Sequence, residues 1–205
     1  YYIEDANATY IKIYIDSFSK LIRSREDNSE FFVYYSGHGT HNEANEAFLV
    51  PVGVTSDYIE QFGIKLSDFY SQISPDGNKK VVVFIDACFS GGGKTGQLLI
   101  NAKTGLRRVP NTSVSGKNLF VFAASSEKQI SQEYFEKHHG LFTYFLLKTL
   151  RETKGELTFK QLTDRVISDV TTTALNPQNN LKEQTPTINI NPAIQNEWQN
   201  WKVNP

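Results

Sequence analysis

The sequence predicts an α/β protein in which a mostly parallel central sheet is flanked by helices on both faces. The first observation is a set of short runs that are apolar on nearly every residue, as expected for strands that are covered on both sides. The second is that segments with apolar residues at helical spacing alternate with these runs along the chain. Such alternation favours a layered α/β sheet, whose functional residues gather at the carboxyl ends of the strands.

Each element is placed by its periodicity and by the turn residues that bound it. The run at 81–85 is apolar on every residue and is predicted to be a central strand. The sequence after residue 190 is polar, and Trp198 and Trp201 are expected to dock this tail. Predicted strands lie at 31–35, 46–52, 81–85, 119–124 and 186–190, and predicted helices at 9–23, 64–73, 140–151 and 158–170.

Composition excludes several classes of function. The 205 residues are predicted to form one domain, at 1–190, followed by a tail at 191–205. A net charge of −1 and the lack of a long apolar run argue against nucleic-acid and membrane partners. The single Cys excludes an internal disulfide framework, and a lone Cys is most often a small buried apolar residue. The location in the cell stays open, with the cytoplasm favoured.

Two of the predicted strands end in residues that can do chemistry. The strand at 31–35 runs into Ser36-Gly37-His38-Gly39, and the strand at 81–85 runs into Asp86-Ala87-Cys88. A thiol nucleophile needs a base beside it and N–H donors for the oxyanion that forms on attack. If the two strands are adjacent and parallel, Cys88 and His38 reach the same rim of the sheet. The glycines beside His38 would let a substrate backbone approach closely.

These two segments resemble the catalytic motifs of the caspase and metacaspase peptidases, particularly of their bacterial members. Fifty residues separate His38 from Cys88, which is the spacing typical of caspases. The likeness covers about residues 2–190, and Phe89 is similar to the bacterial relatives, since metacaspases usually have His there. Further similar segments are Ala47-Phe48-Leu49-Val50-Pro51, Ala123-Ala124-Ser125-Ser126-Glu127, Gly140-Leu141-Phe142-Thr143-Tyr144 and Gln184-Thr185-Pro186.

The resemblance implies a caspase-like three-layer sandwich with a large-subunit part at 1–90, a flexible linker at 91–117 and a small-subunit part at 118–190. It implies that Cys88 attacks the scissile carbonyl and that His38 protonates the leaving amine. The N–H groups of Gly39 and Cys88 would form the oxyanion hole. It also implies a first strand and a first helix that are missing from this chain, before Tyr1. We expect that segment as a partner, either as a bound cleaved piece or as sequence left out here.

Asp86 bears on which peptide bond is cut. It lies two residues before Cys88, so along a strand both side chains point to the same side. Its carboxylate is therefore predicted to line the subsite (S1) for the residue before the scissile bond (P1), with Ser36, Glu127 and Glu133 as further S1 residues. An acid there selects Arg or Lys, as in metacaspases. The alternatives are a strand-end cap for Asp86 and surface positions for the two Glu residues.

The linker contains a dibasic pair, Arg107-Arg108. Caspase-like zymogens are cut in this linker, so the resemblance implies self-cleavage after Arg107 or Arg108. Lys94 and Lys103 are the secondary sites. The alternative is a solvated basic loop without a processing role.

Two other classes of function stay open. One is a catalytically silent caspase-like interaction module. The other is a P-loop NTPase, because residues 91–95 read Gly-Gly-Gly-Lys-Thr, but Cys88 stands where that loop requires its first Gly. No cofactor or metal is predicted, although some metacaspases need calcium. The acids Asp57, Glu60 and Asp68 lack calcium-loop spacing, and His41, His138 and His139 do not form a zinc set with the one Cys.

Overall fold

The computed structural model of the chain describes residues 1–89, 116–126 and 129–204. The elements found in these ranges lie close to most of the positions that periodicity predicts. The strands are β1 (Glu30–Ser36), β2 (His38–His41), β3 (Ala47–Val50), β4 (Ile64–Lys65), β5 (Lys80–Asp86), β6 (Leu119–Ala123), β7 (Glu133–Tyr134), β8 (His139–Gly140) and β9 (Thr187–Ile190). The α-helices are α1 (Ala8–Ser24), α2 (Ile59–Phe62), α3 (Leu66–Ile73), α4 (Leu141–Thr153) and α5 (Phe159–Leu175).

The main sheet has four strands in the order β1-β5-β6-β9. β5 pairs in parallel with β1 and with β6, and β9 is antiparallel to β6. Alternate residues of β5 enter opposite cores, with Val83 on one face and Val82 and Phe84 on the other. A strand that is covered on both faces must be apolar throughout, which is why the run at 81–85 predicted the central strand correctly.

Helices cover both faces of this sheet, so the caspase-like α/β sandwich predicted from the sequence is confirmed. On one face Ile22 of α1 and Ile73 of α3 pack against the sheet. On the other face the packing residues are Phe142 of α4 and Leu162 of α5. Each of these four side chains is at most 1% exposed. Burying a side chain of this size stabilises the fold by roughly 1.5–3 kcal/mol.

The smaller strands were mostly missed from the sequence. β2, β3 and β4 form a separate antiparallel sheet, of which only the strand near β3 was predicted. β7 and β8 form a two-residue ribbon that immediately precedes α4. Strands of two to four residues are too short to show a period of two, so tertiary contacts decide them.

The last helix and the tail pack together. α5 begins after a capping box made by Thr158 and Gln161, and it runs five residues beyond the predicted end at residue 170. Trp198 and Trp201 are buried, as expected for residues that dock the tail. The backbone N–H of Phe159 donates to the carbonyl of Trp201 at 2.9 Å. The tail thus covers the beginning of α5.

Candidate active site

The ends of β1 and β5 meet at one edge of the sheet. Ser36 pairs with Asp86 at the last position of the parallel ladder. The ladder continues for one more bond, because the N–H of Gly37 donates to the carbonyl of Asp86 at 3.2 Å. His38 and Cys88 each follow two residues after this last pair. The register therefore carries the imidazole and the thiol to the same edge, at matching positions of neighbouring strands.

Gly39 allows the two strand ends to approach closely. A Cβ added at Gly39 would lie 2.8 Å from the carbonyl oxygen of Cys88 and 2.7 Å from the ring of Phe89. Side chains do not occupy such short distances, so only glycine fits beside the cysteine loop. The backbone of the histidine loop therefore lies directly against the backbone of Cys88. Gly39, whose N–H group was predicted for the oxyanion hole, is therefore next to Cys88.

The hydroxyl of Tyr35 binds the backbone of the histidine loop, residues 36–39. This hydroxyl donates to the carbonyl of His38 at 2.8 Å and lies 3.5 Å from the carbonyl of Val50. Burial raises the pKa of Tyr35, while the hydrogen bond to Val50 acts in the opposite direction. The hydroxyl therefore stays protonated as a donor over the neutral range. The His38 side chain itself is exposed to solvent.

Cys88 is 2% exposed, and its sulfur is hydrogen-bonded to the segment at 129–133. We call residues 129–133 the strap. The backbone N–H of Ser131 donates to the sulfur at 2.7 Å, and the thiol lies 3.4 Å from the carbonyl of the same residue. The sulfur therefore meets both the N–H group and the carbonyl of Ser131. The sequence predicted a cysteine at the rim of the sheet, and the structure shows that Cys88 is buried there against the strap.

Asp86 is 0% exposed and accepts hydrogen bonds from two hydroxyl groups. Ser131 donates to Oδ1 at 2.5 Å, and Thr143 donates to Oδ2 at 2.5 Å. The carboxylate also lies against the first turn of α4, since a Cβ added at Gly140 would stand 2.1 Å from Oδ2. The N-terminal end of a helix favours a negative charge. Ser131, Thr143 and Gly140 are site residues that the sequence reading missed, because contacts between segments more than forty residues apart leave no periodic signal.

A cavity of about 420 Å³ opens next to Asp86. Three of its lining residues are neighbours of Asp86. Ser36 is its partner in the β1–β5 ladder, Gly140 lies against its carboxylate, and Thr143 donates a hydrogen bond to it. Glu133, the other predicted S1 acid within the described residues, lines the same cavity. The remaining lining residues are Tyr34, Tyr134, Phe135, His138 and His139. The cavity thus joins the predicted S1 residues Ser36 and Glu133 to the surroundings of Asp86.

Tyr34 extends the Asp86 network to the cavity wall. Its hydroxyl lies 2.7 Å from Oγ1 of Thr143. Burial raises the pKa of Tyr34, the hydrogen bond with Thr143 acts against this shift, and the charge of Asp86 adds to it. Tyr34 therefore stays neutral and offers a hydroxyl group to a ligand in the cavity.

Several predicted features lie outside the described residues. They are Glu127, the cleavage-site residues Arg107 and Arg108, the secondary sites Lys94 and Lys103, and the Gly-rich segment at 91–95.

Within 1–89, 116–126 and 129–204, no group of three His, Cys, Asp or Glu side chains is arranged to hold a metal ion. Across the same part of the chain, no helix has the length and apolar character needed to cross a bilayer. Glu60, one of the acids considered for calcium, accepts an exposed hydrogen bond from the side-chain amide of Asn42 at 2.8 Å.

The fold and the site together define a class of protein. An α/β sandwich that brings a thiol and an imidazole to adjacent ends of parallel strands has the arrangement of a cysteine peptidase. The particular family follows from the comparison with family models, in which the caspase domain matches residues 1–195. The chain therefore belongs to the caspase-domain family. No curated protein sequence matches it.

Solved structures support the same fold. Caspase-1 from Spodoptera frugiperda is similar with a TM-score of 0.61 and 16% identity, over 92% of this chain and 69% of that chain. Protein GSU0716 from Geobacter sulfurreducens is similar with a TM-score of 0.59 and 16% identity, over 91% of this chain and 75% of that one. At this identity the likeness establishes the architecture, while the chemistry must be argued from the residues of this chain.

Proposed function

We propose that the protein is a cysteine endopeptidase that cleaves peptide bonds after Arg or Lys. The observation that carries the proposal is the shared contact of Cys88 and Asp86 with Ser131. The backbone of Ser131 bonds the sulfur and its hydroxyl bonds the carboxylate. A nucleophile and a buried acid therefore share one partner, and Thr143, which bonds the acid, lines a cavity together with Glu133.

The chemistry assigns one role to each residue at the two strand ends. The sulfur of Cys88 attacks the carbonyl carbon, and its proton passes to His38. The N–H groups of Gly39 and Cys88 stabilise the oxyanion of the tetrahedral intermediate. His38 then gives the proton to the amine nitrogen, the C–N bond breaks, and an acyl-enzyme remains. Water attacks this thioester with His38 as base, releasing the carboxylic acid and restoring the thiol.

The P1 preference rests on the electrostatics of the cavity. Asp86 is a buried carboxylate whose two oxygens accept from neutral hydroxyl groups, and these donors do not cancel its charge. Within a site of low dielectric such a charge favours a cation, and a guanidinium can pair with it in two hydrogen bonds. Since Asp86 is 0% exposed, a basic side chain reaches it when Ser131 or Thr143 turns its hydroxyl aside.

Peptide substrates that differ only at P1 test this function. We expect turnover of fluorogenic peptides with Arg or Lys at P1, and little turnover with citrulline, which has the shape of Arg without its charge. The variant Cys88→Ala should be inactive on all of them. A preference for Asp or for an apolar residue would show that the specificity is wrong. A wild-type protein that cleaves none of them would leave the silent interaction module as the better reading.

Self-cleavage is part of the proposal. Arg107-Arg108 lies in the polar sequence between Cys88 and β6, and it presents the basic residues that the proposed S1 subsite prefers. We expect the intact mass of the wild-type protein to reveal two fragments that end or begin at this pair under activating conditions. The Cys88→Ala protein should keep the mass of the full chain. Equal, uncut masses for both proteins would exclude self-cleavage.

We also propose that a further strand pairs with the edge of β1. In the described part of the chain β1 pairs with β5 on one side, and it stands at the edge of the sheet. Phe32 and Tyr34 on this strand are about half exposed. A strand from a segment N-terminal to Tyr1 would satisfy the open edge and cover these aromatic side chains. Hydrogen exchange checks this, because the amides of residues 30–36 should become protected when such a segment is present.

A further inference from the structure

Three glutamine side chains fasten the strap to the segment that precedes β9. Gln129 and Gln132 belong to the strap, and Gln184 belongs to the segment at 182–185. Side-chain amides carry a donor and an acceptor in one rigid plane, so they can imitate the backbone groups of a missing strand partner. None of the three takes part in the proposed chemistry, and their contacts therefore need another explanation.

Gln184 lies at the centre of this arrangement. It is 0% exposed, and both ends of its amide are used. Its Oε1 accepts from the backbone N–H of Gln132 at 2.9 Å. Its Nε2 donates to the carbonyl of Ala124, just after β6, at 2.9 Å. One buried side chain therefore fixes the distance between the strap and the end of a core strand.

The two strap glutamines add contacts on either side of Ser131. Gln132 makes a reciprocal pair with the backbone of Lys182, donating to its carbonyl at 2.5 Å and accepting from its N–H at 2.6 Å. Gln129 accepts from the N–H of Thr185 at 2.8 Å. Ser131 is thus enclosed between two anchored residues. Residues 129–132 lie outside any helix or strand, and the glutamine amides add to the backbone bonds that the strap makes with Ser126 and Leu141.

We propose that Gln184 is a positioning residue which, through the strap, sets the place of Ser131 against both the nucleophile Cys88 and the specificity acid Asp86. This inference rests on the proposed function and adds to it the residue that keeps the two parts of the site in register. Ser131 contacts the sulfur and the carboxylate at the same time. A shift of the strap would therefore disturb nucleophile and P1 subsite together.

The variant Gln184→Ala tests the proposal with two measurements. The first is the rate at which iodoacetamide alkylates Cys88, a reaction that joins sulfur to the acetamide carbon and releases iodide. Intact mass reports it without ambiguity, because the chain contains one Cys. We expect alkylation about tenfold faster, since a loosened strap opens the buried thiol more often. The second is kcat/KM on an Arg peptide, which we expect to fall by about 10²-fold because the reacting groups lose their alignment.

Matched variants separate positioning from general damage. Gln178→Ala makes the same substitution at an exposed glutamine and should change neither measurement. Gln184→Glu keeps an oxygen acceptor for the N–H of Gln132, but it places a charged acceptor against the carbonyl of Ala124 at a fully buried site, so both effects should be at least as large as in Gln184→Ala. Gln132→Ala removes the pair with Lys182 and should act in the same direction as Gln184→Ala. If Gln184→Ala does not melt cooperatively, Gln132→Ala provides the decisive comparison.

Opposite changes in the two measurements are the signature of the proposed role. Faster alkylation with slower cleavage, in a protein that still melts cooperatively, supports it. Alkylation of the folded variants within twofold of the wild-type rate would overturn it, because the glutamines would then not hold the strap over the thiol. Alkylation needs no substrate, so a wild-type protein that fails to cleave basic peptides refutes the proposed function while this measurement still decides the role of Gln184.

Discussion

The two strand ends that form the site are built in different ways. At the end of β1, His38 is exposed and its backbone is supported by the hydroxyl of Tyr35. At the end of β5, Cys88 and Asp86 are buried and share contacts with Ser131. The difference is what the proposed roles of these groups require. A nucleophile and a specificity acid need fixed positions in a site of low dielectric, whereas a base that exchanges protons with a leaving amine and with water must remain accessible.

The largest expected effect lies on the buried side of this comparison. Asp86→Asn keeps the shape of the side chain and removes its charge. Loss of a buried charged partner should lower kcat/KM on an Arg peptide by about 10²- to 10³-fold, with a much smaller effect on a citrulline peptide. Steady-state kinetics on the two peptides measure this. Asp57→Asn, at an exposed position, is the matched control. An equal loss on both peptides would mean that Asp86 supports the strap and does not select the substrate.

A second prediction concerns the contact between the two strand ends. Gly39→Ala introduces a Cβ into the space taken by Phe89 and the carbonyl of Cys88, so the histidine loop must move away. A displacement of this kind should reduce kcat by about 10²-fold on every peptide, with the Arg preference retained. Gly53→Ala is the comparison, because its φ of +82° makes Ala costly for stability while no atom lies within 4 Å of the added Cβ. A change in P1 preference in Gly39→Ala would show that the two ends do not act separately.

The smallest effect is expected on the exposed side. Tyr35→Phe removes the hydroxyl that bonds the carbonyl of His38. We expect a loss of roughly 0.5–1.5 kcal/mol in the free energy of unfolding and a decrease in kcat of a few fold. Urea denaturation and steady-state kinetics give the two values. Tyr58→Phe, at an exposed tyrosine, should leave both unchanged. A loss of kcat as large as that of Gly39→Ala would mean that catalysis depends as strongly on a fixed position of His38, after β1, as on that of Cys88, after β5.

Much of the framework was predictable because it depends on local patterns. The apolar run at 81–85 identified the central strand, since a strand covered on both faces leaves that pattern. The sequence analysis required the strands that lead to His38 and Cys88 to be adjacent and parallel, and the register of β1 with β5 meets this condition. The resemblance to caspase-like peptidases predicted the family that the chain belongs to.

The contacts around the nucleophile were not predictable in the same way. Ser131 and Thr143 contact the site, and Gln184 contacts the strap and the end of β6; their partners are 43 to 60 residues away in the chain. Each is a common polar residue, and its function depends on the partner that it meets. The sequence analysis placed Cys88 at the rim of the sheet without the strap, because a strand end followed by glycines gives no sign of a distant segment that packs against it.

The sequence by itself determined the layered sheet, the positions of its main strands and helices, and the two reactive residues at adjacent strand ends. These depend on hydrophobic periodicity and on residue type, which act over a few residues. The tertiary structure alone decided that Cys88 and Asp86 are buried, that Ser131 joins them, and that Gln184 anchors the strap. The physical reason is that a buried polar group must find its partner in space, and packing of distant segments determines which partner that is.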